Sequence, residues 1–80
     1  MESQLVELAI SEIAKEVKRS YDLYPEQFKN QHEAYAVILE ELDELWAEIK
    51  KKGGAYDWDA QRKEAIQAAA MIVRLIAELL

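Results

Sequence analysis

Two stretches of the chain carry side chains that could hold a hard cation between them. Glu40, Glu41 and Glu44 sit together in E-E-L-D-E, and Glu64 and Gln67 follow as E-A-I-Q. At about 100° per residue, residues 32–52 read as a helix. On it Tyr35, Ile38, Leu39, Leu42, Leu45, Trp46 and Ile49 form one apolar stripe. Glu41 lies at the edge of that stripe, Glu44 and Glu48 follow along the same flank, and Glu40 points furthest away. Acids aligned one turn apart repel by roughly 0.2–0.5 kcal/mol per pair, a cost that a divalent cation would offset. Glu64 borders the apolar arc of the next helix, with Gln67 one turn on. If the two helices pack antiparallel, Glu41 and Glu44 face Glu64 and Gln67. An oxygen-only pocket of this kind suits Mg²⁺ or Mn²⁺ rather than zinc. Such a metal can bridge phosphate oxygens and acidify a water for in-line attack on phosphorus. The plainer reading is a solvated acidic face for Glu40, Glu41 and Glu44, a helix-start acid favoured by the dipole for Glu64, and a surface amide for Gln67.

Eighty residues make one domain, residues 1–80. A chain this short buries only about 60–65% of its unfolded surface. There is no cysteine to add a disulfide or a thiolate zinc site, so oligomerisation is the remaining route to a larger core. Ten Lys and Arg against 16 Asp and Glu leave a net charge of −6. That argues against a surface for nucleic acid or anionic lipid, yet is compatible with a site where a metal supplies the positive charge a phosphate needs. Residues 1–20 have no uninterrupted apolar core of the secretory kind. The most apolar stretch, residues 65–80, is too short for a membrane span and contains Arg74 and Glu78. The expected setting is the cytoplasm, with no membrane or nucleic-acid partner.

Two Gly, one Pro and 51% hydrophobic residues fit an all-α chain. Val6, Ala9, Ile10, Ile13 and Val17 set a helical period over residues 2–20. Residues 21–31 read as a break, because Pro25 disfavours helix at Tyr24. The second helix, from about residue 31, ends in Lys50-Lys51-Lys52-Gly53-Gly54, a basic last turn followed by a glycine stop. Residues 55–58 are a connector, and Asp59 is a fair N-cap for a third helix over residues 60–80. That helix is apolar over more than half its circumference. One neighbour covers a stripe of about 100°, so helix two and a partner subunit together are expected to bury it, with Ala68-Ala69-Ala70 allowing close approach.

The pattern E-E-x-x-E, then 19 residues, then E-x-x-Q resembles the MazG-like all-α nucleotide pyrophosphohydrolases, whose pattern is E-E-x-x-E followed by E-x-x-D. The flanking text, H-E-A-Y-A-V-I-L before the first motif and A-A-A-M after the second, is similar to the short phage- and prokaryote-type members. The resemblance covers roughly residues 28–80. It implies a three-helix protomer in a helical-bundle homodimer or tetramer, with the site between helices near the subunit interface. It also implies Mg²⁺-dependent cleavage of nucleoside triphosphates between the α- and β-phosphates, giving the monophosphate and pyrophosphate, often to remove non-standard nucleotides. Under it Glu41, Glu44 and Glu64 match the metal ligands. Gln67 stands where the family has an acid, which leaves the site one charge lighter. Glu40 is the candidate for a further carboxylate that orients or deprotonates the attacking water.

His32, the sole histidine, could touch a phosphate or a base, or be an exposed residue near a helix start. Trp46 could stack on a nucleobase or belong to the core or an interface. Lys50 and its neighbours could meet phosphates or complement the helix dipole. Tyr24 and Phe28 could close over a ligand, Trp58 could be a lid or interface contact, and Arg74 is expected to pair with Glu78 one turn away. The alternative to an enzyme is a non-catalytic helical dimer acting as a nucleotide-binding or protein-interaction module, which Gln67 and the small size favour.

Overall fold

A computed structural model describes residues 2–51 and 57–80. The described residues form three α-helices and no strand: α1 (Glu2–Leu23), α2 (Gln31–Ile49) and α3 (Trp58–Leu79). None is long and apolar enough to cross a membrane.

The helix ends follow local chemistry, with three differences from expectation. Helix α1 runs to Leu23 rather than residue 20, so Tyr21 to Leu23 are helical and the chain leaves the helix only as Pro25 comes up. Helix α2 starts after Asn30, whose Oδ1 accepts from the Glu33 N–H at 2.9 Å, while Glu33 Oε1 accepts from the Lys29 N–H at 3.1 Å. This is a close variant of the capping box. At its other end α2 stops at Ile49, with Lys50 as the C-cap; the expected stop at Gly53-Gly54 lies outside the described residues. Helix α3 is capped by Asp57, not Asp59: Asp57 Oδ1 accepts from the Ala60 N–H at 2.9 Å. Trp58 is thus the first residue of α3, and Asp59 sits in the first turn, where its charge still favours the helix dipole.

Both α1 and α2 pack on α3 and not on each other. Contacts of α1 with α3 advance together along the sequence. Arg62 Nη2 pairs with Glu12 at 2.7 Å near one end, and Tyr21 bonds Glu78 near the other, so these two helices run parallel. Helix α2 lies antiparallel to α3, as expected. A groove therefore runs between α1 and α2, with α3 as its floor.

The apolar arc of α2 is covered on one side only. Its packed row is Ala34, Ile38, Glu41 and Leu45, of which Ala34 and Ile38 are buried. Tyr35, Leu39, Leu42, Trp46 and Ile49 lie one residue further on, roughly 100° around the helix, and stay 40–63% exposed. The stripe expected from the sequence is thus split, and Glu41 is in the packed row rather than at an edge.

The core is thin. Ala34, Ile38, Ala68 and Ala70 are its buried apolar members, and no large side chain among the described residues is fully buried. The accessible surface is 6136 Å², where a compact monomer of this mass exposes about 5000 Å². The radius of gyration, 13.8 Å, likewise exceeds the value of about 12 Å for a compact chain of this length.

The densest polar packing lies where α1, the 24–30 segment and α3 meet. Arg74, 2% exposed, donates from Nε to Glu78 Oε2 at 2.9 Å, from Nη1 to Ser20 Oγ at 3.4 Å and from Nη2 to the Glu26 carbonyl at 3.0 Å. Its guanidinium lies 3.8 Å from the centre of the Tyr21 ring and 5.4 Å from that of Phe28. Glu78 also accepts from the Tyr21 hydroxyl and from the Phe28 N–H, the latter at 2.7 Å. The expected Arg74–Glu78 pair is present, and it is buried. Phe28 serves this knot.

Candidate metal centre

Carboxylate oxygens of Glu41, Glu44 and Glu64 converge to within 4.8 Å of one another. The antiparallel packing of α2 on α3 makes this meeting. Glu41 and Glu44 stand one turn apart on α2, and Glu64 comes from the first half of α3 opposite them. Gln67, one turn beyond Glu64, completes the ring. With its amide nitrogen inward it donates to Glu41 Oε2 and Glu64 Oε2, both at 3.2 Å. Turned the other way, it offers its carbonyl oxygen to the same point. A primary amide can therefore join the acids around a cation through its oxygen or quiet them by donation through its nitrogen; a fourth carboxylate could donate only by taking up a proton.

The cost of assembling these charges appears in their protonation. Partial burial, reinforced by Glu44, Glu64 and then Glu16, pushes Glu41 up from 4.5 to about 7. Glu64 is raised as well, first by burial and then by its hydrogen bond and repulsion with Glu44, with Lys63 pulling the other way. Such shifts arise where carboxylates are partly desolvated and, in addition, held close to one another. The donor set fits a hard divalent cation, being all oxygen, convergent and electrostatically under-compensated.

A pH dependence follows. Glu41 holds its proton more tightly in the folded chain than in the unfolded one, so its contribution to stability is full below pH 4.5 and is lost as pH rises through about 7. Without metal, the melting temperature is expected to fall by a few degrees between pH 5 and pH 8. Mg²⁺ is expected to raise it most at pH 8, where no proton competes, and thermal melts across that range check both signs.

Glu40 is exposed and lies outside the cluster, but it lines a cleft of about 510 Å³ that opens beside it in the α1–α2 groove. Glu41 and Gln67 form the wall shared by cluster and cleft, and Glu16, Arg19, Tyr24 and Met71 are among the other residues around it. His32, Trp46 and Lys50 do not line this cleft. His32 is exposed and nine residues before Glu41, about 13 Å along the helix. Trp46 lies on the uncovered side of α2 at 57% exposure, and Lys50 is the exposed C-cap. Glu16 and Arg19 went unnoticed in the sequence as site residues. Their spacing on α1 resembles any surface ion pair, and only the tertiary packing sets them beside Glu41. Compared with protein-family models, with curated proteins and with solved structures, the chain matches none.

Proposed function

We propose that this chain is a Mg²⁺-dependent nucleoside triphosphate pyrophosphohydrolase of the MazG-like all-α kind. The observation that carries the reading is the convergence of Glu41, Glu44 and Glu64, from two helices, beside a cleft of about 510 Å³, a size suited to a small molecule. The motif resemblance gives that geometry its chemistry. Glu41, Glu44 and Glu64 would hold the metal, with the Gln67 carbonyl as a neutral fourth ligand. When bound, Mg²⁺ (or Mn²⁺) would neutralise phosphate charge and lower the pKa of a water. The three acids would fix the place of that cation, and Glu40, on the cleft wall, is assigned to accept the proton of the attacking water. Water oxygen bonds to the α-phosphorus as the bond from that phosphorus to the α–β bridging oxygen breaks, so one triphosphate and one water give one monophosphate and one pyrophosphate. The assignment gives His32, Trp46 and Lys50 no role. The test is turnover of a panel of nucleoside triphosphates with and without Mg²⁺. Metal-dependent, stoichiometric monophosphate and pyrophosphate are expected; no release from any substrate overturns the reading.

The working form is proposed to be a homodimer or a tetramer built from two dimers. The surface in excess of a compact monomer is roughly 1100 Å², comparable with the ~800 Å² that each partner buries in a standard interface. The uncovered row Tyr35, Leu39, Leu42, Trp46 and Ile49 on α2, with Ile72, Val73 and Ile76 on α3, supplies apolar area to fill it. Sedimentation should show a species of at least twice the 9.3 kDa chain mass. Leu42→Glu should drive it to monomer and lower its melting temperature. A wild-type monomer at micromolar concentration would refute the assembly.

The same uncovered surface and the neutral Gln67 favour the second reading, a non-catalytic dimer that binds nucleotides or protein. Binding of a triphosphate with Mg²⁺ but no turnover would select it.

A further inference from the structure

We propose that Arg19 is a phosphate-contacting residue of the cleft, with Glu16 as the partner it leaves when substrate binds. The inference rests on the pyrophosphohydrolase reading and adds a residue on α1 to a site otherwise built from α2 and α3. A triphosphate carries more negative charge than one divalent cation neutralises, and the cluster beside the cleft is itself acidic. A cation on the cleft wall is therefore needed, and two arginines line it. Arg74 is buried and fully engaged with Glu78, Ser20 and the Glu26 carbonyl. Arg19 is the available one: its side chain is 58% exposed and its ion pair among the described residues is with Glu16, one turn back, at 3.0 Å. That pair lies at the metal centre's edge, since Glu16 is close enough to Glu41 to help raise its pKa and lines the same cleft. Exchanging the Glu16 carboxylate for a phosphate leaves Glu16, whose side chain is only 16% exposed, without that partner, and the greater charge of a phosphate offsets the loss. The planar guanidinium fork matches two phosphate oxygens as well as it matches a carboxylate. The Glu16–Arg19 pair thus keeps the arginine beside the cluster while the cleft is empty of phosphate.

The test uses the full chain with Mg²⁺ alone and with inorganic tripolyphosphate plus Mg²⁺, a probe independent of base preference, both followed by calorimetry. Arg19→Gln should weaken Mg²⁺–tripolyphosphate binding by about 10-fold or more and leave binding of Mg²⁺ alone unchanged. Arg19→Lys, which keeps the charge and loses the fork, should fall between. Glu16→Gln should bind the probe as tightly as wild type or more tightly, because the competitor for Arg19 is gone. Melting curves show that each variant is folded. In turnover, Arg19→Gln should raise KM more than it lowers kcat. If Arg19→Gln binds the probe as wild type does while Glu41→Gln does not, the Arg19 assignment is overturned and the hydrolase reading stands. If wild type binds neither Mg²⁺ nor the probe, both fall together.

Discussion

Glu41→Gln should abolish Mg²⁺-dependent pyrophosphate release, by about 100-fold or more, and at the same time make the metal-free protein more stable above pH 7. The two effects have one cause. Glu41 sits in the packed row of α2, partly desolvated and facing Glu44, Glu64 and Glu16. Its charged form is unwelcome there unless a cation compensates it. A glutamine keeps the shape and removes the charge, so the repulsion that grows as pH passes about 7 is gone. The variant's stability should then decline less than wild type's between pH 5 and pH 8, with the raised Glu64 still contributing. Mg²⁺ should no longer raise its melting temperature, since a ligand stabilises only in proportion to the logarithm of its saturation. Loss of activity with gain of stability separates a ligand from a packing residue, because a packing residue loses both. Parallel melts and pyrophosphate assays on the two proteins decide it: equal turnover by both would remove Glu41 from the mechanism.

The sequence carried the helices well and their surroundings less well. Period and composition alone place α1, α2 and α3, because helix formation by an amphipathic run is local. Boundaries shift where two local signals compete. Asp57 and Asp59 flank Trp58 and either could cap, and the structure uses the first. Pro25 does stop α1, but only at the residue next to it, so the helix gains a turn over the expectation. What periodicity could not give is which part of a broad apolar arc a neighbour covers. On α2 that choice puts Glu41 inward and Trp46 outward. The meeting of Glu41 and Glu44 with Glu64 was foreseeable from antiparallel pairing about a short connector. The approach of α1, which brings Glu16 and Arg19 to the cleft, depends on contacts some 50 residues apart, such as Arg62 with Glu12, and no local pattern announces it. Arg74 shows the same limit. Its pairing with Glu78 follows from spacing, while its burial follows from the 24–30 segment folding back to present the Glu26 carbonyl and the Phe28 N–H.

Arg74→Ala should be the most destabilising single change in the chain, costing about 3–5 kcal/mol and lowering the melting temperature by about 15 °C or more. The reason is what it leaves behind. Glu78, itself nearly inaccessible, would keep the Tyr21 and Phe28 donors and lose the Arg74 cation. Ser20 and the Glu26 carbonyl would lose a donor as well. Burial works to raise the Glu78 pKa, but donation from Tyr21, Phe28 and Arg74, with the charge of Arg74, brings it below the usual 4.5. A lowered carboxylate contributes stability that is present above the unfolded value and is lost as pH falls through the folded one. Wild type should thus weaken on acidification below about pH 4.5, opposite in sign to the Glu41 effect at neutral pH. The knot also ties the 24–30 segment and the end of α1 to α3, and α1 is what sets Arg19 over the cleft. Replacing the pair together, Arg74→Met with Glu78→Leu, should recover much of the loss, because an apolar pair leaves no uncompensated charge. If Arg74→Ala and the double replacement melt alike, the burial of an unpaired carboxylate is not the cause, and packing of the guanidinium on Tyr21 and Phe28 is.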